Sequence, residues 1–440
     1  MTSVAARLAD AAQIAAVGER IDAYDRILDS VMQLDGATLT AALDEYVHGA
    51  VLERANLAGA GLIAGRRCLA LLAERLCAAH DAPGTTLADH DTYTGVLRRT
   101  LDATHEHAAA LEDELAELRV LLADALEAQQ RWEDAAHVLR AIPSDANRRS
   151  KPDTYWLRLN VRLLRLCLHA GALADADLYM KKASSLVHAA RDAPDTDPLL
   201  LDFRRAQAEL YDRQLRCYDA ALRFYELSSA HTLPPPAQSD MLARAVASAL
   251  VAPVSAPRMR LLRQLQRDAR THALPLGAPL ALLADARIVR ADTAAAIAAH
   301  LPPHLRAGTE GAPSALEDAL AEHNVYAASR VYTTITLDSL AQLVQRPEDA
   351  CEALVARMIV QKRLPPACSI HQVARAVFFA PDDAPLSADD GGDAPDAPAD
   401  APEGPVCPDA HDAERQCRDR RLAAALAYLS DAHARLQVTK

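Results

Sequence analysis

A helical pattern that returns about every 40 residues constrains this chain more than any other feature. Three segments align on it, residues 132–136, 173–177 and 217–221. In each, a bulky residue is followed by Asp two positions later and Ala three positions later, and a large apolar residue lies at i+7, namely Leu139, Met180 and Phe224. The Ala lets the two helices of a hairpin approach closely. The repeat therefore predicts an all-α solenoid of TPR-like or HEAT-like hairpins over residues 1–305.

The composition favours helices and places most of the charge in one segment. Glycine contributes 15 of 440 residues and aromatic side chains 4%, which is unlike a strand-rich protein. The net charge is −13, but residues 381–412 alone hold ten carboxylates and no Lys or Arg, so the rest of the chain carries −3. Seven prolines accompany these acids, and we expect residues 381–412 to form a disordered acidic linker. A nearly neutral body lacks the basic excess of a nucleic-acid-binding protein.

The eight cysteines show no CxxC spacing and lie mostly among apolar residues of predicted helices. We interpret them as reduced, small apolar residues of an intracellular protein. We expect neither a signal peptide nor a membrane-spanning segment, because no run approaches about 18 uncharged apolar residues.

Residues 314–380 follow a different order of elements from the repeats. Ser314 is placed to cap a helix that runs to Tyr332, and residues 332–336 are rich in β-branched side chains. Two helices are predicted next, over residues 337–345 and from Pro347 onward, followed by short strands at 368–371 and 376–379. Helix, strand, helix, helix, strand, strand is the order of a winged helix.

A last helix is predicted over residues 413–438. Its apolar stripe consists of Leu422, Leu426, Leu429 and Leu436. A single helix on a flexible tether is only marginally stable in water, so this one needs another helix to pack on. Two arrangements satisfy that need: a bundle with helices of other chains, which we favour, or a return onto its own winged helix.

Several segments together resemble the PCI-domain family, in which a helical solenoid is followed by a winged helix. The resemblance rests on residues 132–143, 225–228, 316–336 and 357–359. This family supplies subunits of the proteasome lid, the COP9 signalosome and translation initiation factor three, and the likeness is to the COP9 signalosome branch. The proteasome lid and initiation factor three remain the alternatives within the family.

The resemblance implies a non-catalytic scaffold of the complex that removes Nedd8 from cullins. In that family the winged-helix sheets pair edge to edge, the terminal helices join one bundle, and the isopeptidase metal belongs to another subunit. Expected partners are other COP9 signalosome subunits, of PCI and metalloprotease type, and a cullin-RING ligase with its RING protein, in the nucleus and cytoplasm. No cofactor, nucleic acid or membrane partner is expected. Candidate partner-binding residues are the four leucines of the last helix together with Val377, Phe378 and Phe379.

Two histidine pairs are candidate metal ligands, because a single-chain metal isopeptidase is the alternative from another functional class. His105 and His107 are two residues apart, and on a helix such side chains point in nearly opposite directions. His300 and His304 have helical spacing, but the two prolines between them forbid a continuous helix, which predicts a loop. Neither pair predicts a metal site.

Gly59, Gly61 and Gly65 are spaced like a phosphate-binding loop. A dinucleotide-binding loop follows a strand, whereas residues 50–57 are predicted to be helical. Close helix packing is therefore the favoured interpretation.

The predicted third helix of the winged helix is not basic enough to enter a DNA groove. Arg357, Lys362 and Arg363 are offset by three nearby acids, Glu348, Asp349 and Glu352. Pairing of a sheet edge with another protein is the better use of such a domain. A winged-helix nucleic-acid binder stays a third alternative.

Overall fold

A computed structural model describes residues 3–57, 59–82, 86–143, 151–190, 196–306, 313–365 and 367–379. Within these ranges the chain forms twenty α-helices and one small sheet. The predicted fold class, a helical solenoid followed by a winged helix, is confirmed.

The first eight helices contain the first complete hairpin of the repeat. Their bounds are α1 Val4–Ala12, α2 Val17–Val31, α3 Gly36–Tyr46, α4 Arg54–Leu57, α5 Leu62–Asp81, α6 His90–Ala103, α7 Glu112–Ala128 and α8 Trp132–Arg140. A π-helical turn, Val47–Val51, follows α3 directly.

Nine helices continue the solenoid. They are α9 Asp153–Ala170, α10 Leu173–Ala190, α11 Thr196–Arg213, α12 Cys217–Ser228, α13 Pro235–Val251, α14 Ala256–Arg267, α15 Gly277–Ala284, α16 Ala291–His300 and α17 Pro303–Arg306. Each of α7 to α12 packs against the next helix along the chain, and α9 also contacts α11.

The repeat predicted from the sequence corresponds to three hairpins, α7–α8, α9–α10 and α11–α12. Their second helices begin at Trp132, Leu173 and Cys217, the residues that open the three aligned segments. The shared Ala of each segment is fully buried, at positions 135, 176 and 220. The close approach predicted for the hairpins is thus confirmed.

The turn inside each hairpin uses a left-handed residue two positions before the second helix. These residues are Gln130 (φ 59°), Gly171 (φ 78°) and Leu215 (φ 58°). The next N–H donates to a carbonyl five residues back at 2.9 Å in all three turns. Such a bond satisfies a carbonyl that the helix end would otherwise leave without a partner.

The winged helix follows from residue 314. Helix α18, Ala315–Val331, begins with a capping box in which Ser314 and Glu317 bond to each other's backbone. The remaining elements are β1 Thr334–Thr336, α19 Leu337–Val344, α20 Glu348–Val360, β2 Ser369–His371 and β3 Ala376–Phe378. The predicted order of elements is confirmed.

The three strands form an antiparallel sheet with the order β1-β3-β2. Ile335 of β1 and Ile370 of β2 both lie opposite Val377 of β3. The last strand in sequence is therefore the central strand of the sheet.

The apolar core passes from the solenoid into the winged helix without a break. One cluster of buried side chains extends from Cys217 to Phe379 and includes residues of α13 to α16 as well as α18 to α20. A second cluster extends from Leu8 to Leu210. The winged helix consequently shares its core with the last solenoid helices.

Of the three glycines considered near the N-terminus, Gly61 and Gly65 are packing positions, as favoured by the sequence, whereas Gly59 has a left-handed φ of 59° and no atom within 4 Å of where a Cβ would be. A methyl group on Gly61 would lie 1.7 Å from the carbonyl oxygen of Ala55, and one on Gly65 would lie 2.6 Å from that of Asn56. Because a real Cβ never approaches so closely, only glycine lets α5 pack on this backbone.

Candidate partner-binding surfaces

The three candidate residues at the end of the winged helix do not form an exposed edge. Val377 is fully buried and Phe379 is 2% exposed, while Phe378 is half-buried. Val377 and Phe378 belong to β3, whose two edges are occupied by β1 and β2. The interpretation of this strand as a pairing edge is therefore corrected: in this sheet any edge pairing has to use β1 or β2.

The outer edges of β1 and β2 are not paired with any strand in the described part of the chain. The N–H of Phe379 donates to the C=O of Thr333 at 2.8 Å, so the backbone groups of Thr333 face β3. Because this orientation alternates along a strand, Thr334 directs its N–H and C=O outward. By the same alternation, Ile370, which lies opposite Val377, directs its N–H and C=O toward the outer edge of β2. The sheet thus offers two edges to partner strands.

Three consecutive residues of α18 fix the winged helix to the solenoid. A carboxylate oxygen of Glu322 accepts from the N–H of Val254 at 3.3 Å, in the segment after α13. Asn324 bonds both backbone groups of Val289, accepting from its N–H at 2.8 Å and donating to its C=O at 3.0 Å. All these groups are buried, so the bonds fix the position of α18 and with it the direction in which the sheet edges face.

The residue between them, His323, is fully buried and neutral. Its Nε2 lies 2.9 Å from the C=O of Arg287 and therefore carries the proton. Burial, reinforced by the nearby charge of Arg258, lowers the pKa of His323 from 6.5 to about 3. Arg258 is itself buried and donates to the carbonyls of Ala249 and Leu250 at the end of α13, and burial lowers its pKa to about 10.

Two of the three cations of the predicted third helix, Arg357 and Arg363, take part in this junction, whereas Lys362 is exposed. Arg363 donates to Glu322 at 2.7 Å and Arg357 donates to it at 3.3 Å. Glu322 is 7% exposed, so two of the three basic residues considered for DNA contact neutralise a buried carboxylate. The sequence alone does not reveal this use, since the partners are far apart along the chain.

The predicted break between His300 and His304 is confirmed, because α16 ends at His300 and residues 301–302 are not helical. His304 itself lies in a short helix, which corrects the predicted loop. Pro303 begins the short helix α17, and His304 Nε2 lies 2.8 Å from a carboxylate oxygen of Asp212 on α11. The other oxygen of Asp212 accepts from the hydroxyl of Ser248 on α13 at 3.0 Å. The carboxylate lies between the other two side chains, so no imidazole activates the Ser248 hydroxyl, and the cluster is a cross-link of α11, α13 and α17.

Two clefts on the solenoid meet at His169. One, of about 450 Å³, is lined by α7, α8, α9 and α11, and the ring of Trp132 stacks on His169 there at 4.7 Å. The other, of about 760 Å³, contains the His304 cluster and Arg244. Arg158 and Arg165 line the first cleft and are exposed. Charged side chains thus line both clefts of the solenoid.

No grouping of three or more His, Cys, Asp or Glu suited to a metal ion occurs in the ranges that the structure describes. His105 and His107 lie in a short 3₁₀ turn, and they belong to no such grouping among the described residues. Among the described helices, none is both long and apolar enough to cross a membrane.

Leu422, Leu426, Leu429 and Leu436 lie outside the described residues, as does the acidic segment 381–412. The predictions made for these residues, a bundle helix and a linker, stay predictions.

Comparison with known protein families gives one match in the solenoid and one in the winged helix. A family model described as PSMD12/CSN4, N-terminal, matches residues 78–234, and the PCI domain model matches residues 305–381. The first match contains the three repeat hairpins, and the second covers the winged helix.

Several curated relatives carry the name COP9 signalosome complex subunit 4. The protein of Neurospora crassa is 32% identical over 62% of this chain and 61% of its own length, less than two thirds of that relative. Those of Emericella nidulans and Drosophila melanogaster are 29% and 26% identical over 66% and 82% of this chain, covering 71% and 84% of those relatives. The chain thus contains a region that matches the PSMD12/CSN4 N-terminal model and one that matches the PCI domain model, and it is similar to the proteins named COP9 signalosome complex subunit 4.

Proposed function

We propose that this chain is a non-catalytic scaffold subunit of the COP9 signalosome, the complex that removes Nedd8 from the cullins of cullin-RING ligases. The observation that carries the proposal is a small sheet with two outward-facing edges, at Thr334 and Ile370. The sheet belongs to a domain fixed to the solenoid by the buried bonds of Glu322 and Asn324. Edge strands are templates for other chains, and a rigid mount gives the pairing a defined direction.

Proline scanning of the two edges tests this function. Thr334→Pro and Ile370→Pro each remove one outward N–H that does not bond to β3, so the sheet itself keeps its own ladder. We expect each variant, expressed with an affinity tag, to lose at least one PCI subunit from the purified complex, as measured by quantitative mass spectrometry. Thr334→Val and Ile370→Val, which keep the N–H and the β-branched shape, serve as matched controls.

Two outcomes separate the proposal from its alternatives. Full recovery of every subunit with both proline variants would show that the edges are not used. Co-purification with proteasome-lid or initiation-factor subunits in place of the signalosome would assign the chain to another PCI assembly.

Contact with the cullin-RING ligase and its RING protein is assigned to the solenoid. Its support is the polar cleft lined by Trp132, Arg158, Arg165 and His169. Arg158→Glu combined with Arg165→Glu is expected to weaken binding of a neddylated cullin-RING ligase by the assembled complex, while the subunit composition stays unchanged. Equal binding by the variant complex would exclude this cleft.

The same function implies that the chain resides in the nucleus and cytoplasm. Fluorescence microscopy of the tagged chain tests the location, and exclusion from both compartments would contradict it.

A further inference from the structure

Helix α14 exposes a row of arginines that neither the junction nor the sheet edges use. Arg260, Arg263 and Arg267 follow one another at spacings of three and four residues and are exposed. Such spacing places them on one face of the helix, while Met259, Leu262 and Leu265 are buried on another. In the part of the chain that the structure describes, none of the three arginines has a carboxylate partner.

The row lines one shallow cleft, and Arg263 also lines a second cleft beside it. One, of about 630 Å³, is lined by Tyr225, the three arginines of α14, Gln264 and Asp268. The other, of about 550 Å³, is lined by the segment 284–288 together with Tyr326, Arg330 and Val331. Five arginines thus surround the pair of clefts, because Arg287 belongs to the segment 284–288.

The two carboxylates in these clefts are already engaged. Asp268 accepts three side-chain hydrogen bonds from Arg270, at 2.7 to 3.2 Å, and this contact lowers the pKa of Asp268. Asp285 accepts from Gln266 at 3.3 Å and lies 3.8 Å from Arg287. An incoming anion therefore meets Arg260, Arg263 and Arg267, to which neither of these two carboxylates is paired.

We propose that this surface, defined by Arg260, Arg263 and Arg267 of α14, binds a short carboxylate-rich segment of a partner protein. Arginine forks match carboxylates in a bidentate manner. The clefts have the size of a few side chains, and Val331, which is 69% exposed, provides apolar surface beside the charges. An acidic peptide that carries an apolar residue fits both features. A nucleic-acid duplex requires a basic surface that follows its phosphates over a greater length than one helix face.

The proposal is tested with the purified full-length chain and a fluorescent peptide of alternating Asp and Glu with one central Leu. A peptide with Asn and Gln at the same positions is the ligand control. Fluorescence anisotropy is expected to show saturable, salt-sensitive binding of the acidic peptide only. Absence of saturable binding, or equal binding of the amide peptide, would overturn the proposal.

Charge removal at the surface gives the decisive comparison. Arg260→Gln, Arg263→Gln and Arg267→Gln together are expected to raise the Kd of the acidic peptide by about tenfold or more, since charge pairs in partly open clefts add modestly and cumulatively. Arg26→Gln, Arg54→Gln and Arg98→Gln remove the same charge from exposed arginines elsewhere on the chain and should leave the Kd within about twofold. An equal loss in both triple variants would mean that net charge alone attracts the peptide, which contradicts a site.

Two further measurements exclude other occupants. Competition by a DNA duplex or by inorganic phosphate at concentrations below those of the acidic peptide would overturn the assignment to a peptide. Because residues 381–412 of this chain are themselves rich in carboxylates, binding is repeated after changing those ten residues to their amides. The proposal expects an unchanged Kd, and a Kd about tenfold lower would overturn it in favour of this segment as the occupant. None of these results depends on assembly into the signalosome.

Discussion

The side chain of His323 shows how one buried residue ties folding to pH. It lies at the centre of the junction, with a single bond from Nε2 to the Arg287 carbonyl and a cation, Arg258, nearby. A second positive charge at this place would be both desolvated and repelled. The packing of α18 against the solenoid therefore requires that the His323 ring be neutral.

Acidification is expected to destabilise the chain through this residue. The pKa of His323 is about 3 in the folded chain and 6.5 in the unfolded chain, so between these values only the unfolded chain takes up the proton. The contribution of His323 is present above pH 6.5 and is lost as the pH falls, by about 1.4 kcal/mol per pH unit. Urea unfolding at about pH 7.5 and about pH 5 should show a loss near 2 kcal/mol that the His323→Gln variant lacks.

Gln is the matched replacement because its amide can donate to the Arg287 carbonyl without titrating. The other ionisable groups contribute equally to the pH dependence of stability in the original chain and in the variant. The difference between the two proteins therefore reports the contribution of His323 alone. An identical pH dependence in the variant would contradict a buried neutral His323.

At the scale of elements, the hydrophobic repeat predicts where helices begin, whereas the residues in the turns do not predict the backbone conformation there. The starts of α8, α10 and α12 could be predicted because their buried faces repeat in the sequence. The left-handed turn residue was not foreseen, since only Gly171 among the three positions is a glycine, and Gln130 and Leu215 do not signal that conformation. Strand order was also beyond the sequence, because three residues per strand do not identify the central one, and Phe379 was consequently assigned to an edge.

The left-handed turn residues of two hairpins, Leu215 and Gly171, give a pair of opposite predictions: introducing glycine at Leu215 should stabilise the fold, and removing it at Gly171 should destabilise the fold. Leu215 is 50% exposed at φ 58°, where a side chain costs about 1 kcal/mol, so Leu215→Gly should raise the thermal midpoint. Gly171→Ala places a side chain in the same conformation and should lower the midpoint by a similar free energy, near 1 kcal/mol. Scanning calorimetry of both variants measures the two shifts. Shifts of the same sign would contradict a shared turn geometry.

On the scale of the whole molecule, the polar contacts between residues far apart along the chain could not be predicted from the sequence. Asp212 bonds His304, and Glu322 bonds Arg363, across separations that no local pattern records. These contacts fix the relative positions of the helices, and they hold the winged helix in one position on the solenoid. A hydrophobic pattern indicates which face is buried, whereas the identity of the partner face depends on the assembled fold.

The predicted last helix gives the test at this scale. Leu422 and Leu429 lie on one predicted stripe, so Leu422→Asp with Leu429→Asp should place two charges where a partner helix packs and release the chain from its assembly. Ala424→Asp with Ala427→Asp adds the same charge to the opposite face of that helix and serves as the control. Affinity purification should recover the other subunits with the control pair and lose them with the leucine pair, while circular dichroism and the thermal midpoint of the isolated chain stay unchanged. Co-purification that survives the leucine substitutions would mean that the sheet edges hold the chain in the complex without help from this helix.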